Sequence, residues 1–237
     1  MRLVAVVDLL ENRVVHARRG DRARYEPLSS SLCEGSDPVR VASALFEIGC
    51  FDALYIADLD AIRKRGDNLA SIRAIAQVQP ATPLWIDAGV QSISDCERLL
   101  EVGTVSVVVG SESLSDVRLI DRLVRDGVDF VLSLDFRGDE FLGPIELLDR
   151  TDLWPANVLA MNLARVGSAM GPDLSLIRMF HERAPSNCIF ACGGVRSEAD
   201  LQAAARSGAC GALLATSVHD GSLAGYFSSL HEARTTN

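Results

Sequence analysis

Two aspartates stand where an α/β chain could use them for proton transfer. Asp8 closes the apolar run Leu3–Asp8, and Asp135 closes the run Asp129–Asp135. Their settings echo each other, Val6-Val-Asp-Leu against Ser133-Leu-Asp-Phe. Carboxylates on opposite sides of a narrow cleft suit general acid–base chemistry, one giving a proton while the other takes one. A lone strand-end aspartate has a second reading, as a cap on the following loop. That reading applies equally to Asp58 and Asp60. The matched pair is what points to catalysis.

A second set of residues suits an anion. Ile189–Ser217 runs Phe190-Ala-Cys-Gly-Gly-Val-Arg-Ser, then an amphipathic stretch to Gly208, then Ala212-Leu-Leu-Ala-Thr-Ser. Trp85–Ser113 repeats the pattern without a gap: Gly89 matches Gly194, Ser92 matches Ser197, and Gly103 matches Gly208. An apolar strand, a glycine turn and a helix start form an anion cradle, because glycine lets the backbone approach and the helix start offers N–H groups. Gly193, Gly194, Ser197, Thr216 and Ser217 are the candidate phosphate ligands. Gly89 and Ser111 are their counterparts in the earlier copy.

Cations gather in the same loops. Arg13, Arg18, Arg19, Arg22 and Arg24 follow the first apolar run, with His16 among them. Arg63-Lys64-Arg65, Arg137, Arg165 and Arg196 follow later ones. In a chain of net charge −9 this clustering suggests an anionic substrate, although any single arginine also reads as solvated loop charge. Residues 9–37 are long enough to form a lid.

Apolar runs alternate with helical patterns throughout, which signals βαβ repetition and a parallel sheet. Strands are expected at 3–8, 53–58, 84–88, 105–110, 129–135, 158–163, 188–192 and 211–215. Helices are expected at 37–49, 68–78, 92–102, 115–126, 172–183, 197–207 and 223–233, with a weak one at 144–150. Eight such units in 237 residues fit one (β/α)8 barrel domain, duplicated from half-barrels. In a barrel the site lies at the C-terminal ends of the strands, where both aspartates fall.

Composition excludes other classes. The acidic balance argues against nucleic-acid and acidic-membrane partners. There is no apolar run of about 18 residues, and Asp8 interrupts the first strand too early for a signal peptide. The six cysteines form no CxxC pair and read as buried free thiols of a reducing cytoplasm. The four histidines (16, 181, 219 and 231) show no metal spacing. No GxSxG elbow, Walker loop or GxGxxG turn occurs.

At these residues the chain resembles the HisA/HisF family of histidine biosynthesis, more HisA than HisF. The likeness is carried by Val7-Asp8-Leu9 with Arg13-Val-Val, by Tyr55-Ile-Ala-Asp-Leu-Asp, by Ser133-Leu-Asp-Phe-Arg-Gly and by Gly193-Gly194-Val-Arg-Ser. It implies a TIM barrel and a cofactor-free, metal-free Amadori rearrangement with Asp8 and Asp135 as base and acid. It also implies a small phosphorylated substrate, a cytoplasmic location and a monomer or homodimer. A HisF-like, ammonia-fed cyclase fits less well, since HisF usually has a lysine after strand one and residues 9–19 contain none. The pattern is also similar to relatives in methanogens and methylotrophs associated with one-carbon cofactor metabolism.

Departures from the family pattern fall in the N-terminal half. Asp87-Ala88-Gly89 stands where the family has a glycine-rich turn, and Glu112 follows Gly110-Ser111. Met161-Asn162-Leu163 and Val166-Gly167-Ser168 replace a threonine-containing strand end and an Asp-Gly-Thr turn. Carboxylates at positions 87 and 112 would repel a phosphate dianion. The expectation is one phosphate site, at the C-terminal half, and a converted opposite end. Candidate substrate contacts are Arg19, Asp58, Asp87, Gly89, Ser111, Glu112, Arg137 and Ser168. The alternatives are a genuine HisA isomerase and a non-catalytic phosphometabolite-binding barrel.

Overall fold

In the computed structural model, which describes residues 1–235, eight parallel strands close on themselves. They are β1 (Arg2–Leu10), β2 (Ala53–Asp58), β3 (Leu84–Asp87), β4 (Val105–Gly110), β5 (Phe130–Arg137), β6 (Asn157–Asn162), β7 (Cys188–Cys192) and β8 (Ala209–Leu214). Each pairs with the next, and β8 closes on β1 with Ala5 opposite Leu214. Strands buried on both faces need apolar residues at nearly every position, which is why the runs are almost continuous. Val4, Tyr55, Trp85, Val108, Val131, Leu159 and Phe190 point inward, while their neighbours pack outward against helices. Side chains alternate along a strand, so this register also turns Asp8, Asp87 and Asp135 toward the barrel axis.

The outer ring comprises α1 (Pro38–Glu47), α2 (Leu69–Val78), α3 (Ile93–Leu100), α4 (Arg118–Arg125), α5 (Leu174–Arg183), α6 (Glu198–Arg206) and α7 (Ala224–Thr235). The sequence echo is an echo in geometry. Ser92 and Ser197 both cap the helices that follow, accepting from the backbone N–H of Asp95 and Asp200. Gly89 and Gly194 both have positive φ, +62° and +82°. At Gly194 a side chain is also excluded by space, since a Cβ would lie 2.2 Å from the Gly171 carbonyl oxygen.

Two expectations need correction. The helix expected at 144–150 is replaced by short 3-10 turns, Ile145–Leu148 and Thr151–Leu153. Here Trp154 Nε1 donates to the Leu147 carbonyl at 2.8 Å, tying the segment down without a full helical turn. The insertion after strand one begins as a hairpin. β1 runs on to Leu10, turns through Glu11 and Asn12 at positive φ, and returns antiparallel as Arg13–His16. Two successive positive-φ residues give the turn whose twist matches a tight hairpin.

The second correction concerns cysteines. Cys188 and Cys210 are joined by a disulfide, with 5.5 Å between their Cα atoms, whereas all six had been expected as free thiols. They sit at the feet of adjacent strands. The β7–β8 pairing slips there, Ile189 opposing Ala209 and Phe190 opposing Gly211. Cys210 is the extra residue in that slip, and nothing in the spacing of the cysteines reveals it. Cys33, Cys96 and Cys192 remain thiols. No helix among the described residues is long and apolar enough to cross a membrane.

Candidate active site

The C-terminal mouth of the barrel holds a cavity with about 1140 Å³ of empty volume, part of it open to solvent. Asp8, Asp87, Glu112 and Asp135 line it, together with Arg22, Tyr25 and Tyr55. Gly193, Gly194, Arg196, Thr216 and Ser217 line it from the ends of β7 and β8, facing Asp87 and Glu112 and adjoining Asp8. The two aspartates singled out by their matched settings therefore share one cavity with the glycine cradle.

Asp135 is held from several sides. Ser133 Oγ donates to its Oδ1 at 2.6 Å, and Ser111 Oγ and the Glu112 backbone N–H donate to its Oδ2 at 3.2 and 3.1 Å. Ser111 Oγ also accepts from the Asp135 backbone N–H at 2.8 Å, so Ser111 supports the carboxylate from outside the cavity lining. These donors favour the ionised form, yet burial outweighs them and raises the Asp135 pKa to about 7. Asp8 is part-buried. Desolvation raises it to about 7 as well, against the pull of Arg22 and with a smaller push from Asp87. Two carboxyls near 7 can each be found in either protonation state at neutral pH, the condition for one to act as acid and the other as base.

Asp87 is a third carboxyl in the same layer. Tyr55 Oη donates to its Oδ2 at 2.9 Å and the Gly89 N–H to its Oδ1 at 3.1 Å. Burial raises it to about 6, with those two hydrogen bonds opposing. Glu112 faces the cavity in an ion pair with Arg22. Arg22 comes from the loop that follows the first hairpin, so this pair joins the loop to the end of β4.

On the opposite wall, Ser217 is 2% exposed and its Oγ has no hydrogen-bond partner in the structure. A buried hydroxyl without a partner is uncommon in a folded protein and marks a place for a ligand or water atom. Thr216 Oγ1 lies 3.1 Å from His16 Nε2, and His219 Nδ1 lies 3.0 Å from Ser30 Oγ. Burial lowers both histidines, His219 to about 4, so they act here as neutral hydrogen-bonding groups.

Other candidates fall elsewhere. Ser197 is spent on capping α6 and does not line the cavity. Asp58 is fully buried as a loop cap, bonded to Ala61 N–H and twice to Asn68, which is the second of its two readings. Arg19 meets the cavity's rim only through its backbone N–H, which donates to Val166 O at 2.7 Å. Arg137 is exposed at the end of β5. Ser168 closes its own turn by donating to Arg165 O. Gly89 borders a different groove with Lys64, Gln91 and Arg98, and Gln91 Nε2 closes its turn onto Ser113 O at 2.6 Å. Tyr55, Tyr25 and Ser133 were not among the candidates. For Tyr55 and Ser133 the signal was available: each stands two residues before an inward position, and an inward polar group in a barrel faces either core or ligand.

The fold is an eight-stranded parallel barrel, and the C-terminal mouth, where barrels of this class carry their sites, holds buried carboxyls and the Gly193-Gly194 turn. Residues 2–224 match the family described as Histidine biosynthesis protein, and the chain belongs to that family. It is 31% identical to an uncharacterized protein of Methanocaldococcus jannaschii over 94% of this chain and 95% of that one. It is 29% identical to 1-(5-phosphoribosyl)-5-((5-phosphoribosylamino)methylideneamino) imidazole-4-carboxamide isomerase of Halorhodospira halophila, over 94% of each chain. The isomerase of the same name from Thermus thermophilus is 27% identical, over 93% of this chain and 95% of that one.

Proposed function

We propose that this chain is a cofactor-free isomerase of a phosphorylated, sugar-like metabolite, with Asp8 and Asp135 as base and acid. The observation that carries the reading is the pair of carboxyls raised to about 7 in one cavity with the Gly193-Gly194 turn. In an aldose–ketose rearrangement of an N-glycoside, Asp135 protonates the ring oxygen and the C1–O bond opens to an iminium. Asp8 then removes the C2 proton, and the resulting enaminol settles as the aminoketose. Protons are exchanged but none is consumed, so no cofactor is called for.

One phosphate is assigned to the wall of Gly193, Gly194, Thr216 and Ser217, and the unpartnered Ser217 hydroxyl supports that placement. The opposite end carries Asp87 and Glu112, which disfavours a second phosphate. A second reading, the histidine-pathway isomerase itself, is favoured by the names of the Halorhodospira and Thermus relatives. Expression in a histidine auxotroph lacking that isomerase separates the two. Absent or weak growth is expected, and full rescue would replace the divergent-substrate reading with the pathway one. A third reading, a binding barrel without chemistry, fails if Asp8→Asn and Asp135→Asn abolish in vivo function while ligand binding persists.

A further inference from the structure

The two ends of the cavity descend from the same pattern and differ at the residues that face a ligand. In the gapless register, Glu112 occupies the place of Ser217, Asp87 that of Cys192, and Ala88 that of Gly193. The C-terminal copy lines the cavity with its glycine turn, whereas the turn at Gly89 borders another groove. What faces the cavity from the N-terminal copy is therefore carboxylate, not backbone N–H.

The charges at that end are incompletely balanced. Among the described residues that line the cavity, the cations are Arg22 and Arg196. Arg22 is paired with Glu112, and Arg196 is held by Asp200 through Nε and Nη2 at 2.9 and 3.1 Å. Asp87 takes hydrogen bonds only from neutral donors, Tyr55 Oη and Gly89 N–H; the charge of Arg22 reaches it, but that guanidinium is already paired with Glu112. Asp135 and Asp8 are close enough to feel its charge, which raises the pKa of each. A phosphate or carboxylate placed here would add like charge, and a neutral group would leave the cluster as it is. An ammonium would balance it and supply donors to a carboxylate that has open acceptor positions.

The cluster is not the only sign of a ligand. Ser217 Oγ, buried and unpartnered, belongs to the same cavity and points to a bound molecule at its far wall. We infer that the substrate is two-ended, with a phosphate against Thr216 and Ser217 and a protonated amine against Asp87 and Tyr55. This rests on the phosphate assignment above and goes beyond it in naming the charge of the other end.

The probes are aminobutyl, aminopentyl and aminohexyl phosphates, each compared with the hydroxyalkyl phosphate of equal length. Binding to the full chain is measured by isothermal titration calorimetry at about pH 7, where a primary amine is charged. At the best length the amine is expected to bind about tenfold more tightly than the alcohol, the scale of one charge-assisted hydrogen bond. Asp87→Asn should remove the preference while phosphate-dependent binding survives. If that variant does not fold, Glu112→Gln, which releases Arg22 toward the subsite, should reduce the preference instead.

Equal binding of amine and alcohol at every length would overturn the amine end and leave the phosphate end standing. Preference retained in Asp87→Asn, or in Glu112→Gln where only that variant folds, would also overturn it. Binding of neither phosphate would overturn the phosphate assignment, and this inference with it.

Discussion

Asp87 and Asp135 converge on the same bare point of the barrel wall. A Cβ built on Gly110 would lie 3.3 Å from Asp135 Oδ2 and 3.6 Å from Asp87 Oδ2. The φ of Gly110 is −84°, a conformation open to any residue, so the glycine is required for space and not for backbone freedom. Gly110→Ala should keep the fold and displace the carboxylates by a few tenths of an ångström. Turnover should fall by about tenfold with little change in melting temperature, since small misplacements of reacting groups are costly. Paired thermal melts and kinetics check this.

Asp8→Asn and Asp135→Asn should each lower kcat by about 10²–10⁴-fold, the range for loss of a positioned acid or base. Calorimetry with an alkyl phosphate should show binding preserved in both. Loss of binding together with turnover would mean that the aspartates shape the cavity and do not act in the chemistry.

The raised pKa of Asp8 also has a consequence for stability. Its folded value, about 7, exceeds its ordinary value of 3.8, so the folded state holds the proton more tightly. That contribution is full below pH 3.8 and is lost as pH rises toward and through about 7. Asp8→Asn should therefore melt several degrees higher than the parent above neutrality, and the difference should shrink to nothing in acid. Melting curves across that window test the sign.

Arg22 lowers the pKa of Asp8 through its charge and is joined to Glu112. In Arg22→Ala the acidic limb of the pH–rate profile should move to higher pH, because the base has lost a stabilising cation. An unchanged limb with weaker substrate binding would restrict Arg22 to holding the loop.

The disulfide closes a sequence separation of 22 residues. Its loss in Cys188→Ser should cost about 3 kcal/mol by loop-closure entropy. Urea denaturation with and without reductant checks it, since reductant should abolish the difference between parent and variant.

Much of the fold was legible because a parallel barrel imposes a simple demand. Each strand is apolar on both faces and each connection is helical, so β2, β4 and β7 could be bounded to the residue. Segment 144–150 failed for the converse reason. It is held by Trp154 and short turns, contacts that leave no helical period in the sequence. Asp8 and Asp135 were visible as strand-end carboxyls, and Asp87 as a departure from a family pattern. The Arg22–Glu112 pair was not, because it spans 90 positions and depends on where a loop folds back. Ser197 was misleading in a specific way. A serine that begins a helix looks alike whether its hydroxyl serves an anion or the helix itself, and only the bond to Asp200 N–H tells which.

The disulfide lies far from the chemistry in space but not in mechanics. Cys188 sits at the foot of the strand whose tip becomes Gly193 and Gly194, and Cys210 near the foot of the strand whose tip becomes Thr216 and Ser217. The bond thus acts as the rivet of a pair of tongs whose jaws are the two halves of the anion cradle. Strands fixed at the foot cannot slide past one another at the tip, so under the proposed phosphate assignment the spacing of the two jaws is set by a covalent link a full strand length below them.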